Sequence, residues 1–164
     1  MFKAVIIDLD GTLLDLPIDY PAMYKKISEI TGITEIKPLL KTVTQIKNPQ
    51  ILKQVLDTWT KFETAIIDKI TIHEEGMQLY RQHIKQPKAL VTMQSKETIH
   101  KICQKFNLQF DTVFTRDDSF NRAEQLKLSI LKLGFTPPDT LFIGNIDNDE
   151  TAAQQVGCKF IKVK

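Results

Sequence analysis

The sequence predicts an α/β fold, a mostly parallel sheet flanked by helices, with a helical insertion after the first strand. Two observations carry this. Short, wholly apolar runs of the kind that suit strands buried on both faces alternate with helical patterns along most of the chain. Over residues 15–72 the alternation stops and only helical patterns remain. Strands alternating with helices make βαβ units, and those units make parallel sheets.

Taken in order, the first strand covers residues 4–7, an apolar run that ends at Asp8. In the insertion, residues 21–30 read as a helix stopped near Gly32. Pro49 sits where helices like to start, and a long helix follows it. There Ile51, Leu52, Val55, Leu56, Trp59, Phe62, Ile66, Ile67 and Ile70 recur at spacings of three and four, one apolar stripe. Further strands are expected over 89–91, 112–114, 140–143 and 159–163, and helices over 96–106, 121–133 and 150–156. Gly134 caps the second of these helices, with Pro137 and Pro138 just beyond.

The composition narrows the function. The 164 residues suffice for one core with a small appendage, not two full domains. With Lys+Arg 22 against Asp+Glu 20, the net charge of +2 gives no broad basic face, so nucleic acid is not an expected partner. A small phosphorylated metabolite needs only local positive charge and is not excluded on this ground. No apolar run approaches the roughly 18 residues of a membrane span. The N-terminal run is too short for a signal peptide, so no membrane partner is expected. Cys103 and Cys158 lie far apart and outside any Cys-x-x-Cys, which argues for two buried thiols in a reducing cytoplasm rather than a disulfide or zinc site. His73, His83 and His100 show no ligand spacing. Nothing in the sequence sets the oligomeric state.

The chemistry gathers at three strand ends. The first strand runs into Asp8-Leu9-Asp10-Gly11-Thr12. Two carboxylates two residues apart point the same way along a strand, and they repel unless a cation or a proton lies between them. The second apolar run ends in Thr92, a hydroxyl able to donate to a phosphate oxygen or to cap the next helix. The fourth runs through Gly144 and Asn145 into Asp147, Asn148 and Asp149, a loop whose oxygens suit either turn chemistry or Mg²⁺. In a parallel sheet all three ends lie on one edge, where ligands bind at the point of strand-order reversal.

On these residues the chain resembles the haloacid dehalogenase superfamily of phosphohydrolases. Asp8-Leu-Asp10-Gly-Thr12-Leu-Leu-Asp15 is similar to that family's first motif, Leu90-Val91-Thr92 to its second, and Ile143-Gly144-Asn145 through Asp149 to its fourth. The resemblance implies a Rossmann-like three-layer sandwich of strand order 5-4-1-2-3, with a core over 1–14 and 73–164 and a small helical cap over 15–72. It also implies a Mg²⁺-dependent phosphatase acting on a small phosphomonoester through an aspartyl-phosphate.

In that scheme Asp8 is the nucleophile and Asp10 the general acid and then base. Thr92 holds the transferring phosphoryl group. Asp8, the Asp10 carbonyl, Asn145 and Asp149 hold Mg²⁺. The third motif should supply a basic residue. Arg122, at the start of the third helix, is best placed, with Lys127 and Arg116 as fallbacks. Asn145 departs from the family's usual Asp and removes a charge from the metal loop, which Asp147 is a candidate to restore. A dehalogenase proper is disfavoured by Asp10. A phosphorelay receiver is disfavoured because its acceptor Asp ends a third strand. Two alternatives remain: a catalytically degenerate phosphate-binding or protein-interaction module, and a phosphomutase.

Overall fold

The computed structural model describes residues 2–164. They form two compact units, one made of the chain up to Leu16 together with Ile70–Lys164, the other of Pro17–Lys69.

The first unit is built on a five-stranded parallel sheet. Strand β1 (Ala4–Asp8) lies at its centre, with all five residues buried. Of the other sheet strands, β4 (Lys88–Val91) and β6 (Thr140–Gly144) flank it, and β5 (Thr112–Phe114) and β7 (Lys159–Lys162) form the edges. Ile6 pairs with Ala89 on one side and with Phe142 on the other. Counting only the strands of this sheet, the order from one edge is 5-4-1-2-3, as expected.

Alternation along the strands sends Ile6, Ala89, Val91 and Phe142 to one face, where they pack with Leu126 and Ile130 of helix α6 (Arg122–Leu133) and with Ala152 and Ala153 of α7 (Asp147–Val156). Val5, Ile7, Leu90, Leu141 and Ile143 point the other way and are buried as well. Both faces of the sheet are therefore covered, which is why these strands read as continuous apolar runs.

Helix α5 (Lys96–Phe106) starts on Ser95, whose hydroxyl accepts from the Thr98 amide. Helix α6 starts on Asn121 and ends at Gly134, which has a φ of 78°. Helix α7 begins at Asp147, three residues before the expected start. Asp147, Asp149 and Glu150 fill its first turn, where the helix dipole favours negative charge, so the segment read as an acidic loop is partly helix.

Two further pieces of this unit escape the sequence patterns. Strands β2 (Leu14–Asp15) and β3 (Thr71–Ile72) pair antiparallel where only helix was expected. Two residues are too few to show a period. Helix α4 (Glu74–Gln82) buries Gly76, Met77 and Tyr80 on one face, but three positions in nine residues are too few for the sequence to show as a stripe.

The second unit holds α1 (Tyr20–Thr31), α2 (Leu39–Gln45), α3 (Pro49–Ala65) and a short 3₁₀ turn at Ile67–Lys69. Asp19 and Asn48 cap α1 and α3 through side-chain oxygens. Helices α1 and α3 pack together. Of the expected stripe, Val55 and Trp59 are buried within α3, while Ile66, Ile67 and Ile70 fall past its end. Among the described residues no helix is long and apolar enough to cross a membrane.

Candidate active site

The end of β1 is shaped by its own backbone. The Leu9 carbonyl accepts from the amides of Thr12, Leu13 and Leu14 at 3.1, 2.9 and 3.1 Å, so the chain turns back at once. Gly11 makes this possible with a φ of 72°, and a Cβ there would lie 2.2 Å from Asn145 Nδ2. The turn points Thr12 back at Asp8. Its hydroxyl lies 3.2 Å from Asp8 Oδ2 and 3.4 Å from Asn145 Oδ1. Asp10 is half-buried, and its Oδ1 accepts from the Leu16 amide at 3.1 Å.

Arg122 is the first residue of α6, and the helix start aims it at the carboxyl end of the sheet. Its Nη2 donates to Asp8 Oδ1 at 2.7 Å, and Nη1 donates to Gln125 Oε1 at 2.9 Å. Nε lies 2.9 Å from Asp149 Oδ1, in ion-pair contact but without hydrogen-bond alignment. Asp149 is fully buried, and its Oδ2 accepts from the amides of Asn145 and Ile146 at 3.3 and 3.4 Å. Gly144 leaves room for this carboxylate, since a Cβ there would sit 2.6 Å from Asp149 Oδ2.

The electrostatics do not balance. One guanidinium faces two buried carboxylates, and Asp10 adds a third nearby charge. Burial pushes the Asp8 carboxyl up to about 7. Arg122 pulls against that rise, and Asp149 and Asp10 add to it. Such a site calls for a proton or a cation. Among the described residues no group of three or more His, Cys, Asp or Glu side chains is placed to hold a metal. The oxygens present are of another kind: a carboxylate, the Asn145 amide and backbone carbonyls. These are hard donors that suit Mg²⁺, and the unbalanced negative charge fits it too.

Thr92 directly follows β4 and is fully buried. Its hydroxyl bonds the Gln94 side chain and accepts from the Gln94 amide at 3.3 Å. Its carbonyl accepts from Gln125 Nε2 at 3.0 Å.

The structure thus brings Asp8, Asn145, Asp149 and Arg122 into one network, with Thr92 joined to it through Gln125. Lys127 is exposed, and Arg116 is buried with Nη1 on the Met93 carbonyl. Asp147 is not a replacement charge either. Its side chain is 92% exposed and ion-paired to Lys162. Sequence reasoning assigned no role to Thr12, Gln94 or Gln125. Thr12 lay inside a quoted motif, and the one available signal for Gln125 was its place one turn after Arg122.

By sequence the chain matches no family model and no curated protein. By fold it matches solved structures over nearly its whole length. CbbY from Rhodobacter sphaeroides, in complex with phosphate, is 16% identical, with a TM-score of 0.76 over 99% of this chain and 86% of that one. A hydrolase from Pseudomonas syringae is 17% identical, with a TM-score of 0.77 over 98% and 84%. A haloacid dehalogenase-superfamily hydrolase from Geobacter sulfurreducens is 20% identical, with a TM-score of 0.69 over 99% and 89%. The chain has the fold of haloacid dehalogenase-like hydrolases.

Proposed function

We propose that this protein is a Mg²⁺-dependent phosphatase of small phosphomonoesters. The observation that carries the proposal is the buried Asp8 carboxylate at the end of the central strand, gripped by Arg122 and surrounded by oxygens in excess of the positive charge. The shared fold supports it, because CbbY has been crystallised with phosphate and with xylulose-1,5-bisphosphate.

An Asp8 oxygen attacks phosphorus and forms an aspartyl-phosphate while the ester bond breaks. Asp10 gives its proton to the departing alkoxide, and as a carboxylate it then takes one from the water that attacks phosphorus. That second step releases inorganic phosphate and restores Asp8. Arg122 orients Asp8 and places positive charge beside the transferring group. Thr92 offers its hydroxyl to a phosphoryl oxygen, which requires it to leave Gln94. Mg²⁺, when bound, supplies charge against the phosphoryl oxygens. Asp8, the Asp10 carbonyl and Asn145 would hold it; Asp149, expected from the sequence as a further ligand, has its oxygens on Arg122 and on the Asn145 and Ile146 amides and would instead fix the loop on which Asn145 sits.

One observation favours a second reading. Arg122 already bridges Asp8 and Asp149, and Asn145 brings no charge to the metal loop, as in a phosphate-binding module without turnover. Assay of the purified protein on a panel of phosphorylated metabolites, with Mg²⁺ and with chelator, decides between them. Turnover that requires Mg²⁺ is expected. No turnover on any compound at millimolar Mg²⁺ would overturn the phosphatase in favour of the binding module.

A further inference from the structure

Gln125 is the fully buried polar side chain that ties the parts of this site together. It lies one turn after Arg122 on α6, with no exposed surface. Its Nε2 donates to the Thr92 carbonyl at 3.0 Å and to the Ser119 carbonyl at 2.9 Å. Two carbonyls can be satisfied only by the NH₂ end of the amide, so the orientation of the group is not arbitrary. The carbonyl end must then face Arg122, and Oε1 accepts from Nη1 at 2.9 Å. This contact fixes the rotation of a planar guanidinium whose other nitrogens reach Asp8 and Asp149.

We infer that Gln125 is a positioning residue for phosphoryl transfer: it holds the Arg122 guanidinium against Asp8 and locks that arrangement to the end of the strand carrying Thr92. The inference rests on the phosphatase reading above. The chain's own geometry supports it. Without Gln125, Arg122 loses the one neutral acceptor that sets its plane, while both carboxylates remain free to pull it. The Thr92 and Ser119 carbonyls lose their donor in the same stroke. Arg122 acts on charge that develops as the phosphoryl group moves, so its misplacement falls on turnover more than on substrate binding.

The test is a double-mutant cycle on the best substrate of the panel, using native protein, Gln125→Met, Arg122→Ala and the double variant. Gln125→Met should lower kcat by about tenfold or more while KM changes less than about threefold. In the Arg122→Ala background the same substitution should cost less than about twofold, because its target is gone. Gln125→Leu serves if the Met variant does not fold, and it should lose turnover similarly, because it too leaves Arg122 Nη1 without its acceptor. Losses that multiply in the double variant, or native turnover in a folded Gln125 variant, overturn the inference and leave the phosphatase standing. Failure of both variants to fold assigns Gln125 to the core and overturns it too. A native protein inactive on the whole panel removes the phosphatase reading and this inference together.

Discussion

Asp8 carries two opposed demands, and a single substitution separates them. Asp8→Asn should abolish turnover, because an amide cannot serve as the anionic nucleophile, while the near-isosteric side chain keeps the Arg122 contact. The same variant should be more stable in chelator. The folded-state value of about 7 stands above the ordinary 3.8, so the buried carboxylate destabilises the fold increasingly as pH rises between those values and by a constant amount above them. Thermal melts should therefore show a higher Tm than the native protein at pH 8 and little or no gain near pH 4. A lower Tm at pH 8 would show that the charge is not in excess. Asn145 makes the complementary case. Asn145→Asp should tighten Mg²⁺ binding several-fold by calorimetry at one ionic strength, and equal affinities would mean that position 145 does not face the metal. At this scale the sequence singled out Asp8 and Asn145 by residue type and motif, and the structure places the two side chains around one hydroxyl, that of Thr12. It was unreadable for Gln125 and Gln94, whose amides look like any helix or loop glutamine until their partners are in place.

Among the elements, those carrying a period were legible and those without one were not. Helix α5 has the expected bounds, and β5 coincides with its apolar run. Helices α2 and α4 and the β2–β3 pair are too short, or bury too few side chains, for a pattern to rise above chance. Helix α4 is nevertheless essential to the geometry. Its Gly76 lies so close to the turn after β1 that a Cβ would fall 1.6 Å from the Thr12 carbonyl oxygen, a backbone atom that cannot swing aside. Gly76→Ala should therefore cost about 1–3 kcal/mol despite its favourable helix propensity, measured as a lowered midpoint in urea. It should also cut activity, because the displaced turn carries Thr12 away from Asp8. A midpoint equal to the native value would mean that α4 retreats without consequence.

For the molecule as a whole, the order of the sheet was available only through the resemblance, since periodicity shows that strands are parallel but not who neighbours whom. The thiols give a whole-molecule reading of integrity. Cys158 is buried, but Cys103 is only half-buried where two buried thiols were expected; burial still pushes both up to about 11, and neither is in a disulfide. At pH 8 only about one in a thousand is thiolate, so a disulfide reagent should label them slowly and react fast only after denaturant unfolds the chain. Rapid native labelling would place them outside a packed core. The central position of β1 has a consequence for how this protein is made. Val5 must find Lys88 on one side and Leu141 on the other, both distant in sequence. The strand bearing Asp8 therefore leaves the ribosome before both of its partners, and one of its edges stays unpaired until the segment carrying Leu141 has been translated. Such long-range closure places refolding in the slow, millisecond-to-second regime of non-local topologies. A nascent chain stalled before Thr140 would expose the open edge of a strand whose residues are all buried in the folded protein, a state prone to aggregation.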